Sequence, residues 1–219
     1  KYGHPLRIVT VDEETLRIFS KIFDDADKPW EARIPAIHAQ SLMNVLTRIG
    51  EYPCKVSDLK ENAFGTTMWS ETGAQEDNTI EYNVHYPCDE LDGIIFGPLI
   101  GISYPVFQSC MDECITHIAF YNVDISYVDE DYIQQCKYGI KCSRNEFLSK
   151  IPLTPWNTKY SSEYKILARR RLGQNQERTL ISALYPRGIT HVNTVTGIVL
   201  RDAKDLVTLS GVMSSIVID

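Results

Sequence analysis

The chain has 219 residues, 43% hydrophobic and 10% aromatic, with a formal net charge of −7. That composition excludes a disordered or fibrous protein and is enough to bury a substantial core in one large domain or two small ones. The overall acidity argues against a nucleic-acid partner only if the charge is spread evenly, and it is not: residues 137–187 hold eleven Lys or Arg against three acidic residues, a local charge of about +8. A polar molecule with one positive face is the physical consequence, because a nearby polyanion responds to the local field.

In chain order, residues 11–23 place Leu16, Phe19, Ile22 and Phe23 at helical spacing behind acidic first-turn residues, and Asp12 serves as the N-cap. Residues 24–38 read as a loop leading into a short extended piece, and residues 40–49 give no clear period. The first 50 residues are therefore expected to form a helical lead-in, and residues 51–219 an α+β domain with a mixed β-sheet and flanking helices. Residues 52–92 are polar, acidic and broken by Pro53, Gly65, Gly73 and Pro87, with partial alternation over 79–86. Residues 93–105 (GIIFGPLIGISYP) predict a tight strand-turn-strand, since they hold neither G-x-G-x-x-G nor a glycine-lysine phosphate loop. A strand is expected in 116–127, an acidic connection or short helix in 128–138, and a helical turn in 146–151 stopped by Pro152. Residues 164–171 suit a strand or a helix edge, and 178–185 an apolar element ended by Pro186. Residues 189–200 are rich in Val, Ile and Thr and predict one strand, or two turning at Gly197. Residues 205–219 carry a helical period that is expected to continue in a longer protein, of which this chain reads as a fragment.

Six cysteines at this length do not make a disulfide scaffold, and together with the lack of an apolar run near 18 residues they suggest a reducing cytoplasm. Cys110 and Cys114 lie one helical turn apart and Cys136 and Cys142 form a second pair, but the spacing of the latter departs from a zinc knuckle and buried thiols are expected instead. No metal site is assigned. Glu163 and Lys165, with Asp129 or Asp131, supply the residue types of a metal-dependent nuclease, in which carboxylates hold a divalent ion beside the scissile phosphate. No catalytic residue is assigned on that match.

The arginine cluster carries more. Lys159, Lys165, Arg169, Arg170 and Arg171 are candidate phosphate contacts, since such charges are not buried unpaired and phosphate contacts set register on a duplex. Gln174, Asn175, Gln176, Arg178, Arg187, His191 and Asn193 are candidate base readers: Arg suits guanine, and Asn or Gln suits adenine, in the major groove. His191, set among apolar residues, also reads as a satisfied structural histidine.

Residues 152–157 (PLTPWN), 164–171 (YKILARRR), 177–186 (ERTLISALYP) and 188–193 (GITHVN) together resemble the non-catalytic portion of large bacterial DNA adenine methyltransferases, the long enzymes of restriction-modification and of BREX- and DISARM-like phage defence. The resemblance covers about residues 148–219 and is thin before them. It implies a target-recognition region that grips double-stranded DNA. S-adenosylmethionine, the adenine-clamping Asn-Pro-Pro-Tyr motif and methyl transfer would then belong to a catalytic domain of the same parent chain, because both the motif and the cofactor's glycine-rich turn are absent here. A structural protein-interaction domain and a metal-dependent nuclease domain are the alternatives.

Overall fold

A computed structural model describes residues 5, 8–24, 26–35, 37, 39–114, 116, 119–172 and 178–215. The chain divides into two compact units, Lys1–Asp58 and Leu59–Asp219. The division therefore lies eight residues beyond the boundary read from the sequence.

The first unit contains α1 (Glu13–Phe23) and α2 (Gln40–Glu51). Asp12 caps α1 as expected, its carboxylate accepting from the Thr15 amide at 2.8 Å. Phe19, Met43 and Leu46 form this unit's buried core, with Leu16 and Ile22 packed against it. The α2 helix escapes sequence reading because Ala39 precedes it and no side chain caps its start.

The second unit runs β1 (Ala63–Thr66), α3 (Glu71–Glu76), β2 (Ile80–His85), β3 (Ile94–Ile95), β4 (Gln108–Cys110), β5 (Phe120–Asn122), β6 (Cys136–Ile140), α4 (Arg144–Lys150), β7 (Lys165–Arg169), β8 (Ser182–Tyr185), β9 (Thr190–His191), β10 (Val195–Leu200) and α5 (Ala203–Met213). This is an α+β fold, but its strands form several small sheets where one mixed sheet was expected. A four-stranded antiparallel sheet has the order β1-β10-β7-β8, and the pairs β2-β6, β3-β9 and β4-β5 stand beside it. Only β3-β9 is a parallel pair among these named strands.

The β7 strand is the centre of the site. It pairs with β10 on one side, Arg169 opposite Val195, and with β8 on the other, Lys165 opposite Tyr185. Both its faces are covered, so Lys165, Ile166, Leu167 and Ala168 are all buried. The Ile166 face meets Leu200 and Leu206, while Leu167 joins the main core with Tyr160, Val195 and Val199. Of the two expectations for residues 189–200, two strands form, but residues 193–194 make the turn and Gly197 lies within β10 opposite Leu167. A Cβ there would sit 1.8 Å from the Tyr160 hydroxyl and 2.6 Å from His191 Nε2, so close approach is what requires the glycine.

Residues 93–105 contain β3 and a 3-10 turn (Gly97–Leu99), not two consecutive strands. The connection 128–138 contains no helix and ends in β6.

Candidate functional site

The sequence-predicted cations separate into three environments. Lys165 lies in the core, fully enclosed, where its Nζ donates to the carbonyls of Ile189 (3.1 Å), Pro186 (3.3 Å) and Ser161 (3.4 Å) and stands 5.1 Å from the centre of the Tyr160 ring. Burial disfavours the ammonium and brings its pKa down to about 7, against a smaller upward pull from Glu163. In this fold Lys165 does not reach a phosphate, which corrects its assignment and removes the lysine of the nuclease reading. Glu163 is likewise engaged: its Oε1 accepts the Trp156 indole N–H at 2.9 Å and the Thr158 hydroxyl. No group of three or more His, Cys, Asp or Glu suited to a metal ion occurs among the described residues.

His191 is also enclosed. Its Nδ1 donates to the Val192 carbonyl at 3.2 Å, so in the neutral ring Nε2 accepts the Tyr160 hydroxyl at 2.9 Å. Burial, reinforced by the nearby Lys165, lowers its pKa to about 4 in spite of the Val192 carbonyl's opposing effect. It is the satisfied structural histidine, and it reads no base edge. Lys165, Tyr160 and His191 thus form a buried polar cluster beneath β10.

The second environment is the far end of the β7-β8 hairpin. Arg187 follows β8, beyond the Lys165–Tyr185 pair, with its guanidinium 4.9 Å from the Tyr164 ring centre. Lys159, half-buried ahead of β7, donates to the Ile151 carbonyl at 3.1 Å.

The third is the C-terminal end of β7, roughly 13 Å away along the strand at about 3.3 Å per residue. Arg169 is half-buried there: its Nη2 donates to the carbonyls of Ile100 (2.6 Å) and Pro98 (3.1 Å), and its guanidinium lies 5.6 Å from the Phe107 ring centre. Arg170 is exposed and donates from Nη1 to the Asn193 carbonyl at 2.9 Å, while its own amide donates to Thr194 O. Arg171 is exposed, and Arg178 meets the carbonyls of Ser215 (3.1 Å) and Ser214 (3.3 Å) at the end of α5. That placement sets a cation against the negative end of a helix dipole.

The expected continuous cationic surface is therefore corrected. Arg169, Arg170, Arg171, Arg178 and Asn193 are brought to one end of the sheet; Lys159 and Arg187 are at the other; Lys165 and His191 are inside. Gln174, Asn175 and Gln176 lie outside the described residues. Among the described residues, Arg169, Arg170 and Arg171 form no ion pair with a carboxylate.

Sequence reasoning missed one wall of this end. Ile100, Ile102, Tyr104 and Phe107 surround Arg169, held by a turn in which Gly101 N–H donates to Tyr104 O at 3.0 Å and Ser103 N–H to Ser182 O at 3.0 Å. Ser103 takes φ 66°, a left-handed conformation uncommon for serine, and the run GISYP gave only the signal of a turn.

Cys110, Cys114 and Cys136 are buried free thiols, as expected, while Cys54 and Cys88 are exposed. Burial, with smaller contributions from Cys114 and Cys136, raises the Cys110 pKa, and Cys136 is pushed up to about 12 chiefly by burial. Neither is an activated nucleophile. No described helix is long and apolar enough to cross a membrane.

Comparison with protein families, with curated proteins and with solved structures finds no match. The resemblance to adenine methyltransferases accordingly rests on the residues quoted for it.

Proposed function

We propose that the Leu59–Asp219 unit binds double-stranded DNA through the C-terminal end of β7, as the target-recognition portion of an adenine-specific methyltransferase. The observation that carries the reading is the pairing of Arg170 with Asn193. The guanidinium donates to the main-chain carbonyl of Asn193, so a phosphate-type side chain and a residue of the adenine-reading type lie together at one end of the sheet. Arg171 stands beside them, exposed. Guanidinium groups that have donors left over after meeting main-chain carbonyls, and no carboxylate partner among the described residues, suit contacts to phosphate oxygens.

The roles divide accordingly. Arg170 and Arg171 contact the backbone, and Asn193 reads a base edge. Arg169 holds the loop that follows β3 against the strand end, as its two carbonyl contacts require. In this reading S-adenosylmethionine and methyl transfer belong to a catalytic domain of the parent protein, and no step is assigned to them here.

Fluorescence anisotropy with a labelled duplex tests the reading. Arg171→Ala is expected to weaken binding across all sequences and to reduce the slope of log K against log salt by about one. Arg187→Ala, at the other end of the hairpin, is expected to leave both unchanged.

A further inference from the structure

A cleft of about 220 Å³ opens beside the arginine end of β7, walled by Ile100, Ile102, Tyr104, Phe107 and Ile181 and lined also by Arg169 and Arg178. It lies below the range of about 300–1,000 Å³ that holds drug-sized ligands, so its occupant is of single-ring size.

The chemistry of that occupant follows from Arg169. Its Nη2 meets two neutral carbonyls and its guanidinium lies over Phe107. Its Nε is a buried donor that meets no acceptor among the described residues. A charged donor held in an apolar wall without an anionic partner is costly. Burial accordingly disfavours the charged form, lowering the Arg169 pKa despite opposing effects of Tyr185 and Tyr104. An anion in the cleft would give the Arg169 guanidinium the charged partner it lacks among the described residues, where a low dielectric makes a charge-assisted hydrogen bond strong. The three isoleucines and two aromatic rings would meanwhile cover an apolar body. Arg178, the other cation of the lining, is engaged at the carbonyls of Ser214 and Ser215, so the charge of the occupant falls to Arg169: a carboxylate matches that one guanidinium, whereas a phosphate dianion carries twice the charge.

We propose that this cleft binds a small molecule bearing one carboxylate on an aromatic or aliphatic body, with the carboxylate on Arg169 and the body against Ile102, Phe107 and Ile181. The site is separate from the DNA contacts assigned to Arg170, Arg171 and Asn193, and its test does not depend on them.

Saturation-transfer NMR on the full chain decides the matter, with benzoate as probe, benzamide as its neutral counterpart and inorganic phosphate as competitor. Benzoate is expected to receive saturation and to bind about tenfold or more tightly than benzamide, the difference made by one charge-assisted hydrogen bond. Ile102→Trp, which fills the cleft from a partly exposed position, is expected to abolish the benzoate signal while leaving the circular dichroism unchanged. Arg169→Met is expected to remove the preference for benzoate over benzamide. If that variant does not fold, the benzamide comparison and Ile102→Trp still decide. The proposal is overturned if benzoate does not bind, if benzamide binds equally well, if benzoate binding survives Ile102→Trp, or if phosphate displaces benzoate at equal concentration.

Discussion

The cluster of Lys165, Tyr160 and His191 ties residue chemistry to stability most directly. His191 has a pKa near 4 when folded and 6.5 as a free side chain, so between those values the unfolded chain binds a proton that the folded chain does not. Its contribution is complete above pH 6.5 and is lost as pH falls toward 4, by an amount on the order of 3 kcal/mol. Urea melts across that window are expected to show this fall, and His191→Gln to lack that part of it. Lys165 acts in the same direction higher on the scale. With a folded value near 7 against 10.5, it penalises the fold fully below pH 7, and stability recovers as pH rises toward 10.5. Subtracting the profile of Lys165→Met from the parent profile is expected to isolate that recovery. Gly197 completes the residue scale: Gly197→Ala drives a Cβ into Tyr160 and His191 and is expected to lower the thermal midpoint through a loss of about 1–3 kcal/mol or more. His191 was legible in the sequence as a satisfied histidine from its apolar neighbours, whereas the roles of Lys165 and Gly197 were not. Lys165 reads there as a surface charge because the carbonyls that hold it come from as far as Ile189, and Gly197 reads equally as strand or turn because the atoms that crowd it come from Tyr160 and His191.

Among the elements, local signals transferred well where a cap or a period was present. The Asp12 cap with its helical spacing marked α1, and the period read from residue 205 marked α5, which starts two residues earlier, at Ala203, with Asp202 accepting from the Lys204 amide. Ser143 closes the start of α4 by accepting from the Glu146 amide at 3.3 Å. Ser143→Ala is therefore expected to cost about 1 kcal/mol in chemical denaturation. The character of β7 was ambiguous in sequence because its run YKILARRR lacks strict alternation, and the structure explains why: the strand is covered on both faces, so alternation carries no information. The same coverage split the arginine run. Arg169 turned inward to carbonyls some 70 residues earlier in the chain, while Arg170 and Arg171 emerged where the strand ends. Charge density along the chain showed that a basic region exists, but it did not show that a five-residue strand would carry its members to opposite ends and into the core.

For the whole molecule, the two units differ sharply in what holds them. The first rests on Phe19, Met43 and Leu46, whereas the second has a continuous core running from Trp69 to Val199. Hydrogen exchange is expected to follow that difference, with the amides of α1 and α2 opening at lower free energy than those of β7 and β10. The functional account depends on the second unit alone, and on one electrostatic property of it: exposed guanidinium groups at the end of β7 that attract a phosphate backbone although the chain as a whole carries −7. Its most direct test is the salt dependence of duplex binding by the parent chain and by an Arg170→Ala, Arg171→Ala double variant. The account predicts that the parent binds at low salt, that log K falls linearly with log salt, and that the double variant loses affinity together with about two units of that slope. No binding at low salt, or a double variant that binds like the parent, would contradict it.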